Sequence, residues 1–211
     1  LNSHAIEVKF AWAINKYSQI CKPWEKKEIT IEHMPTIFSH AIAAGAMGSL
    51  APRPLQAVKL FLLGMTCAMV PDADVLSFAL GIPYGHWLGH RGFTHSICFA
   101  LLLGTVITLL FYSRVALFSK KWWILWAYFC LSTASHGLLD ALTTGGKGIA
   151  FLAPFHNQRY FGPEIWRQIR VSPIGVEAFF SRWGWQVIKS EMLWIWLPSG
   201  LVLLLGRWIR K

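Results

Sequence analysis

The stretch PDADVLSFALGIPYGHWLGHRGFTHS, residues 71–96, decides how this chain is read. It holds Asp72 and Asp74, two of the three aspartates in the protein, and His86, His90 and His95, three of its eight histidines. The third aspartate, Asp140, stands four residues after His136 in another apolar segment. Acids in or beside apolar runs are costly unless they are paired or bound to metal. Pro71 removes a backbone donor and clashes with the preceding turn, which predicts a helix break at Pro71–Asp74. Gly81, Pro83, Gly85 and Gly89 then predict a turn-rich connection.

The rest of the composition points to a membrane. Of the 211 residues, 55% are hydrophobic and only 14% charged, with mean hydropathy +0.43. A soluble domain carries roughly 25% charged residues. The 12 Trp suit the headgroup level, where amphipathic rings settle. Net charge is +10, which in a soluble chain would suggest nucleic acid. Here the basic residues cluster in loops and at the ends of apolar runs, so topology and anionic lipid account for them, and no nucleic-acid partner is expected. Cys21, Cys67, Cys98 and Cys130 show no ligand spacing and predict no disulfide framework.

Outward from the opening stretch, apolar runs alternate with breaks. The first lies between Glu32 and Arg53, with 20 residues free of Asp, Glu, Lys and Arg and small residues at Ala41–Gly48 that permit close helix contact. The second runs from about Leu55 to Leu80, broken at Pro71. The third lies between Arg91 and Arg114, 22 residues without formal charge. The fourth follows Lys120, Lys121, Trp122, Trp123 and Trp126, an anchor of basic and aromatic residues, and ends at Gly145-Gly146. The last lies between Glu191 and Arg207 and contains Pro198. Residues 147–190 mix basic and aromatic side chains and read as a structured segment at the membrane interface, with short helices. The expected fold is all-α: a polytopic membrane protein with four to five apolar helices and a long interfacial loop. Residues 1–33 are mixed and charged, without a signal peptide's pattern, and read as an upstream extension, with natural translation expected to start at Met34. The functional domain is then 34–211.

Alternating the direction of the helices puts His40, Asp72 with Asp74, His90 with His95, and His136 with Asp140 at one side of the membrane. Arg91 and six basic residues of the long loop share that side, against eight on the opposite side, mostly in short loops and at span ends. The positive-inside rule then favours a periplasmic site.

Each candidate has a plainer reading beside the chemical one. His136 and Asp140, at i and i+4, share a helical face and could converge on a cation; a bracing His–Asp pair would use the same spacing. Asp72 and Asp74 flank a break and could both turn to one site, or cap a helix end. His90 and His95 bracket the entry to the third helix. His40 is a lone histidine in an apolar run, where a satisfied core residue is the commoner case. His86 has no support beyond its neighbours, and His4, His33 and His156 read as surface or interface residues. Arg91 could neutralise a phosphate or anchor the membrane surface. Four His and three Asp exceed one zinc site and suit one or two Zn²⁺, with Mn²⁺ or Fe²⁺ as alternatives.

At these residues the sequence resembles a known family. MPTIFSHA (34–41), PDAD (71–74), HRGFTHS (90–96) and HGLLDALTTGG (136–146) are similar to the YdjM family of bacterial inner-membrane proteins, LexA-regulated and thus part of the SOS response, and regarded as metal-dependent hydrolases. The resemblance covers Met34 to the C-terminus. It implies metal ligands at His40, Asp72, His90, His95, His136 and Asp140, with Asp74 as ligand or acid/base. It extends more distantly to zinc-dependent phospholipases C and single-strand nucleases, whose helices present an HxxxD pair to zinc. The expected function is therefore a membrane-bound hydrolase in the bacterial inner membrane. Metal-activated water attacks an ester, above all a phosphoester, with membrane phospholipid as the natural substrate; Asp74 and Arg91 are the catalytic candidates. A cation transporter, a haem cytochrome and an inactive regulatory membrane protein are the rivals.

Overall fold

Pro71 breaks the chain where its missing N–H dictates. The computed structural model describes residues 36–171 and 180–209. In it, helix α2 (Val58–Met69) gives way to a 3-10 turn at Val70–Val75 and then to the short helix α3 (Leu76–Ala79). Helix α1 (Ile37–Gly48) precedes them. After the turn-rich connection, a 3-10 turn at Phe93–His95 leads into α4 (Ile97–Phe111), whose N-cap Ser96 accepts a hydrogen bond from Phe99 N. Ser119 caps α5 (Lys120–Ala141) in the same way. The chain closes with α6 (Arg182–Glu191), a π turn at Met192–Trp196, and α7 (Leu197–Trp208). The wide turn sits just before Pro198, which cannot supply a helix hydrogen bond. The upstream extension, the start at Met34, and the residues His4 and His33 lie outside the described residues.

The expected all-helical class is observed: the described residues form helices and isolated bridges, with no strand among them. Two helical stretches are long and apolar enough to cross a membrane, Val58–Ala79 with 22 residues and Arg182–Trp208 with 27. Ile37–Gly48 and Ile97–Phe111 are shorter apolar helices. The C-terminal stretch begins at Arg182, nine residues before the Glu191 boundary read from charge. Residues 182–190 alternate aromatic and polar side chains on an amphipathic face, and the break in charge there is no break in the helix.

The interior is packed through small residues. A Cβ on Gly64 would stand 1.9 Å from the hydroxyl of Tyr128, and one on Gly48 2.8 Å from it. The two glycines let α1 and α2 close around that ring, whose hydroxyl donates to Ala44 O at 3.2 Å. Gly104 admits Cys130 between α4 and α5. Leu60, Cys67, Leu125 and Phe129 fill the centre of this packing. Outside, large apolar residues such as Leu62, Leu102, Leu110, Leu131, Leu201 and Leu204 are exposed, while His40, His90, His136 and Asp140 are fully buried. Polar inside and apolar outside is the arrangement for a protein solvated by lipid.

The long segment after α5 is structured, as the sequence predicts, but mostly by other means. A bridge joins Ile149 to Tyr160 and another Thr143 to Ile169. Arg159 donates to the carbonyls of Tyr84 and His90 at 2.7 and 3.0 Å and ties the segment to the turn-rich connection. Its one short helix among the described residues before α6 is a 3-10 turn at Glu164–Trp166.

Candidate metal centre

Four side chains from three parts of the chain meet at one point. Asp72 comes from the turn after Pro71, His95 from the turn before α4, and His136 and Asp140 from successive turns of α5. One ligand atom from each lies within 4.8 Å of the others. His136 Nε2 is 3.0 Å from His95 Nε2 and 3.1 Å from Asp72 Oδ1. His95 Nε2 is 3.3 Å from Asp140 Oδ2. A tetrahedral ion with bonds of ~2.0–2.1 Å holds its donors about 3.3 Å apart, so these separations suit a common cation.

The hydrogen bonds behind the rings aim them at that point. His136 Nδ1 lies 2.7 Å from Ala68 O, a carbonyl that can only accept, so Nδ1 carries the proton and Nε2 is left as a donor atom. His95 Nδ1 lies 3.1 Å from Asp74 Oδ2, with the same result. Two bare ring nitrogens then face each other at 3.0 Å, which is repulsive unless a proton or a cation sits between them. Asp72 Oδ1 and both oxygens of Asp140 are buried and accept no hydrogen bond. Three carboxylates, Asp72, Asp74 and Asp140, gather here while the one guanidinium, Arg91, pairs with Asp140, so the acids outnumber the fixed cation and favour a bound one. On each of these counts the residues fit a divalent metal. Burial by itself would push the His95 imidazolium down; the Asp74 and Asp140 carboxylates outweigh it and hold its pKa up at about 9.

The remaining candidates surround the four. His40 stacks on His136 with ring centroids 3.8 Å apart, and its Nε2 is 3.5 Å from Asp140 Oδ1, the oxygen turned away from His95. Neither nitrogen of His40 makes a hydrogen bond. His90 stands one step back, its Nδ1 2.6 Å from Asp74 Oδ1. Asp74 also accepts from Arg91 N at 3.0 Å and Thr94 Oγ1 at 2.7 Å. Arg91 is buried, its backbone in the left-handed region at φ 59°, its Nε 3.1 Å from Asp140 Oδ2 and its Nη1 donating to Gly145 O at 3.0 Å. A Cβ on Gly146 would strike that Nη1 at 2.1 Å, so the glycine makes room for the guanidinium. His86 and His156 are exposed, outside the cluster. Of the four converging residues only Asp72 has exposed side-chain surface, 11%, so the centre meets its surroundings there.

One buried acid escaped the sequence reading. Glu191 is fully buried and accepts from Thr36 N, Thr36 Oγ1 and Ser39 Oγ at 2.6, 2.6 and 2.7 Å. It caps the start of α1 from 155 residues away and fixes the turn that carries His40. Its position as the single acid inside the last helical stretch was the available signal.

The sequence model of the YdjM inner membrane protein family matches residues 34–211. The inner membrane protein YbcI of Escherichia coli (strain K12) is 38% identical over 183 residues, covering 84% of this chain and 100% of that protein. No solved structure matches the chain.

Proposed function

Because this chain belongs to the YdjM inner membrane protein family, we propose that it is a multi-pass metal-dependent hydrolase of esters, foremost phosphoesters, with its site facing the periplasm. The observation that carries this reading is the convergence of Asp72, His95, His136 and Asp140 within 4.8 Å. Zn²⁺ suits a mixed set of nitrogen and oxygen donors, with Mn²⁺ or Fe²⁺ as alternatives. A second ion would use His40 and the outer oxygen of Asp140. The cation would supply Lewis acidity, acidifying water and polarising an ester or phosphoryl oxygen.

The chain's own residues divide the remaining work. Asp74, with four partners, orients His95 and His90 and has little capacity left to relay a proton. Arg91 is taken up by Asp140 and Gly145, so it positions the carboxylate. Asp72, at the exposed edge, is the acid placed to accept a proton from the reacting water. The burial of the other donors excludes bulk water.

The test is metal analysis of detergent-purified protein beside the His136→Ala/Asp140→Ala variant, followed by a hydrolysis screen over phospholipids and soluble phosphodiesters. The wild type should retain metal and turn over a phosphoester, and the variant should do neither. Equal metal content would overturn the reading. Metal without turnover would leave a cation-binding protein, as a transporter or a regulatory protein would be.

A further inference from the structure

Two apolar cavities, of about 260 and 390 Å³, lie along one seam of the helices. The first is bounded by α1, α5 and the C-terminal stretch, the second by the far ends of α1 and α5, and Met47 lines both. On α5 the lining positions include Ile124, Ala127, Leu131, Ser135, Leu138 and Leu139, at helical spacings of three and four that form one continuous face. Both cavities open to the outside. The row ends beside the candidate metal centre: Ser135 and Leu139 each precede a converging residue, and Ala43, across the seam, is one turn from His40.

We propose that this seam holds the acyl chain of a membrane phospholipid whose phosphoester reaches the candidate centre. The inference rests on the hydrolase reading and supplies its substrate class. From Ile124 to Leu139 the groove runs fifteen residues, ~22 Å along a helix. That is more than half of the ~30 Å hydrocarbon layer and within reach of a long chain. The lining is almost wholly apolar, so it recognises hydrocarbon and leaves the headgroup to the polar end. Ala43 and Ala127 keep the groove open, and a larger side chain at either would fill it.

The experiment uses the full chain in phosphatidylethanolamine–phosphatidylglycerol vesicles containing a phospholipid with a photoreactive diazirine on its acyl chain. Labelling should concentrate on the α1 and α5 peptides that line the seam, severalfold above the lipid-facing α4 residues Leu102 and Leu110. Ala43→Leu and Ala127→Leu, at opposite ends of the groove, should each lower that labelling severalfold. Uniform labelling of all apolar faces, labelling unchanged in both variants, or cross-linking of a second copy along the seam would overturn the proposal. This arm needs no turnover. In the hydrolysis arm, the same variants should raise KM for a long-chain phospholipid and leave a soluble phosphodiester of the same headgroup unaffected; equal effects on both would also overturn it. Seam labelling without hydrolysis of any substrate would instead defeat the hydrolase reading and leave the groove standing.

Discussion

Asp74 shows how a residue can matter to a site without entering it. It holds His95 by Nδ1, so its loss frees the ring to turn its donor atom away. Asp74→Asn should weaken zinc affinity by about 10–100-fold, measured by competition with a chromophoric chelator, while far-ultraviolet circular dichroism stays unchanged; unaltered affinity would remove Asp74 from the site. The His95 ring adds a pH signature. Its folded pKa, about 9, lies above that of an unfolded histidine, ~6.5. Its contribution to the metal-free fold is therefore complete below ~6.5 and is lost as pH rises through about 9. Chelated protein should unfold at lower temperature at about pH 10 than at about pH 6. Zinc should lift the unfolding temperature more at the alkaline end, since bound ligands must be deprotonated. Thermal unfolding in detergent, with and without metal, checks both; parallel curves would count against the centre. Gly64 tests packing alone: Gly64→Ala must displace the Tyr128 ring and should cost about 1–3 kcal/mol, read by denaturant titration, with part of the loss recovered in Gly64→Ala/Tyr128→Phe.

At the level of elements, the sequence carried what local chemistry determines. Pro71 ended α2, and His136 and Asp140 took one face of α5, because each depends on neighbours a few residues away. The partition into converging and supporting residues was not legible. His90 and His95 look alike in HRGFTHS, and only the fold carries His95 past Asp74 to His136 while His90 stays behind Asp74. Glu191 was hidden for the same reason, as its partners Thr36 and Ser39 lie at the far end of the chain. Glu191→Ala would strand three buried donors and should loosen the C-terminal stretch from α1, at about 1 kcal/mol per lost hydrogen bond. Limited proteolysis in detergent should then cut between α5 and α6 sooner than in the wild type; an unchanged digestion pattern would show that the contact does not hold the stretch in place.

For the whole molecule, counting charges gave a direction that geometry does not supply. The loop after α5 belongs with the site, because Arg159 fastens it to the connection that carries His90. If the site faces the periplasm, His156→Cys in a background without other cysteines should react with an impermeant maleimide added to intact spheroplasts. A cysteine at Arg114, on the opposite side, should react only after lysis. The reverse pattern would invert the topology and leave the centre untouched.

Asp72 alone among the converging side chains shows any surface, so the centre is nearest its surroundings there. A proton should reach the centre there more readily than a bulky hexadentate chelator. Stripping of a bound metal should therefore be quick in mild acid and slow in excess chelator at neutral pH, with a rate set by spontaneous release and indifferent to chelator concentration.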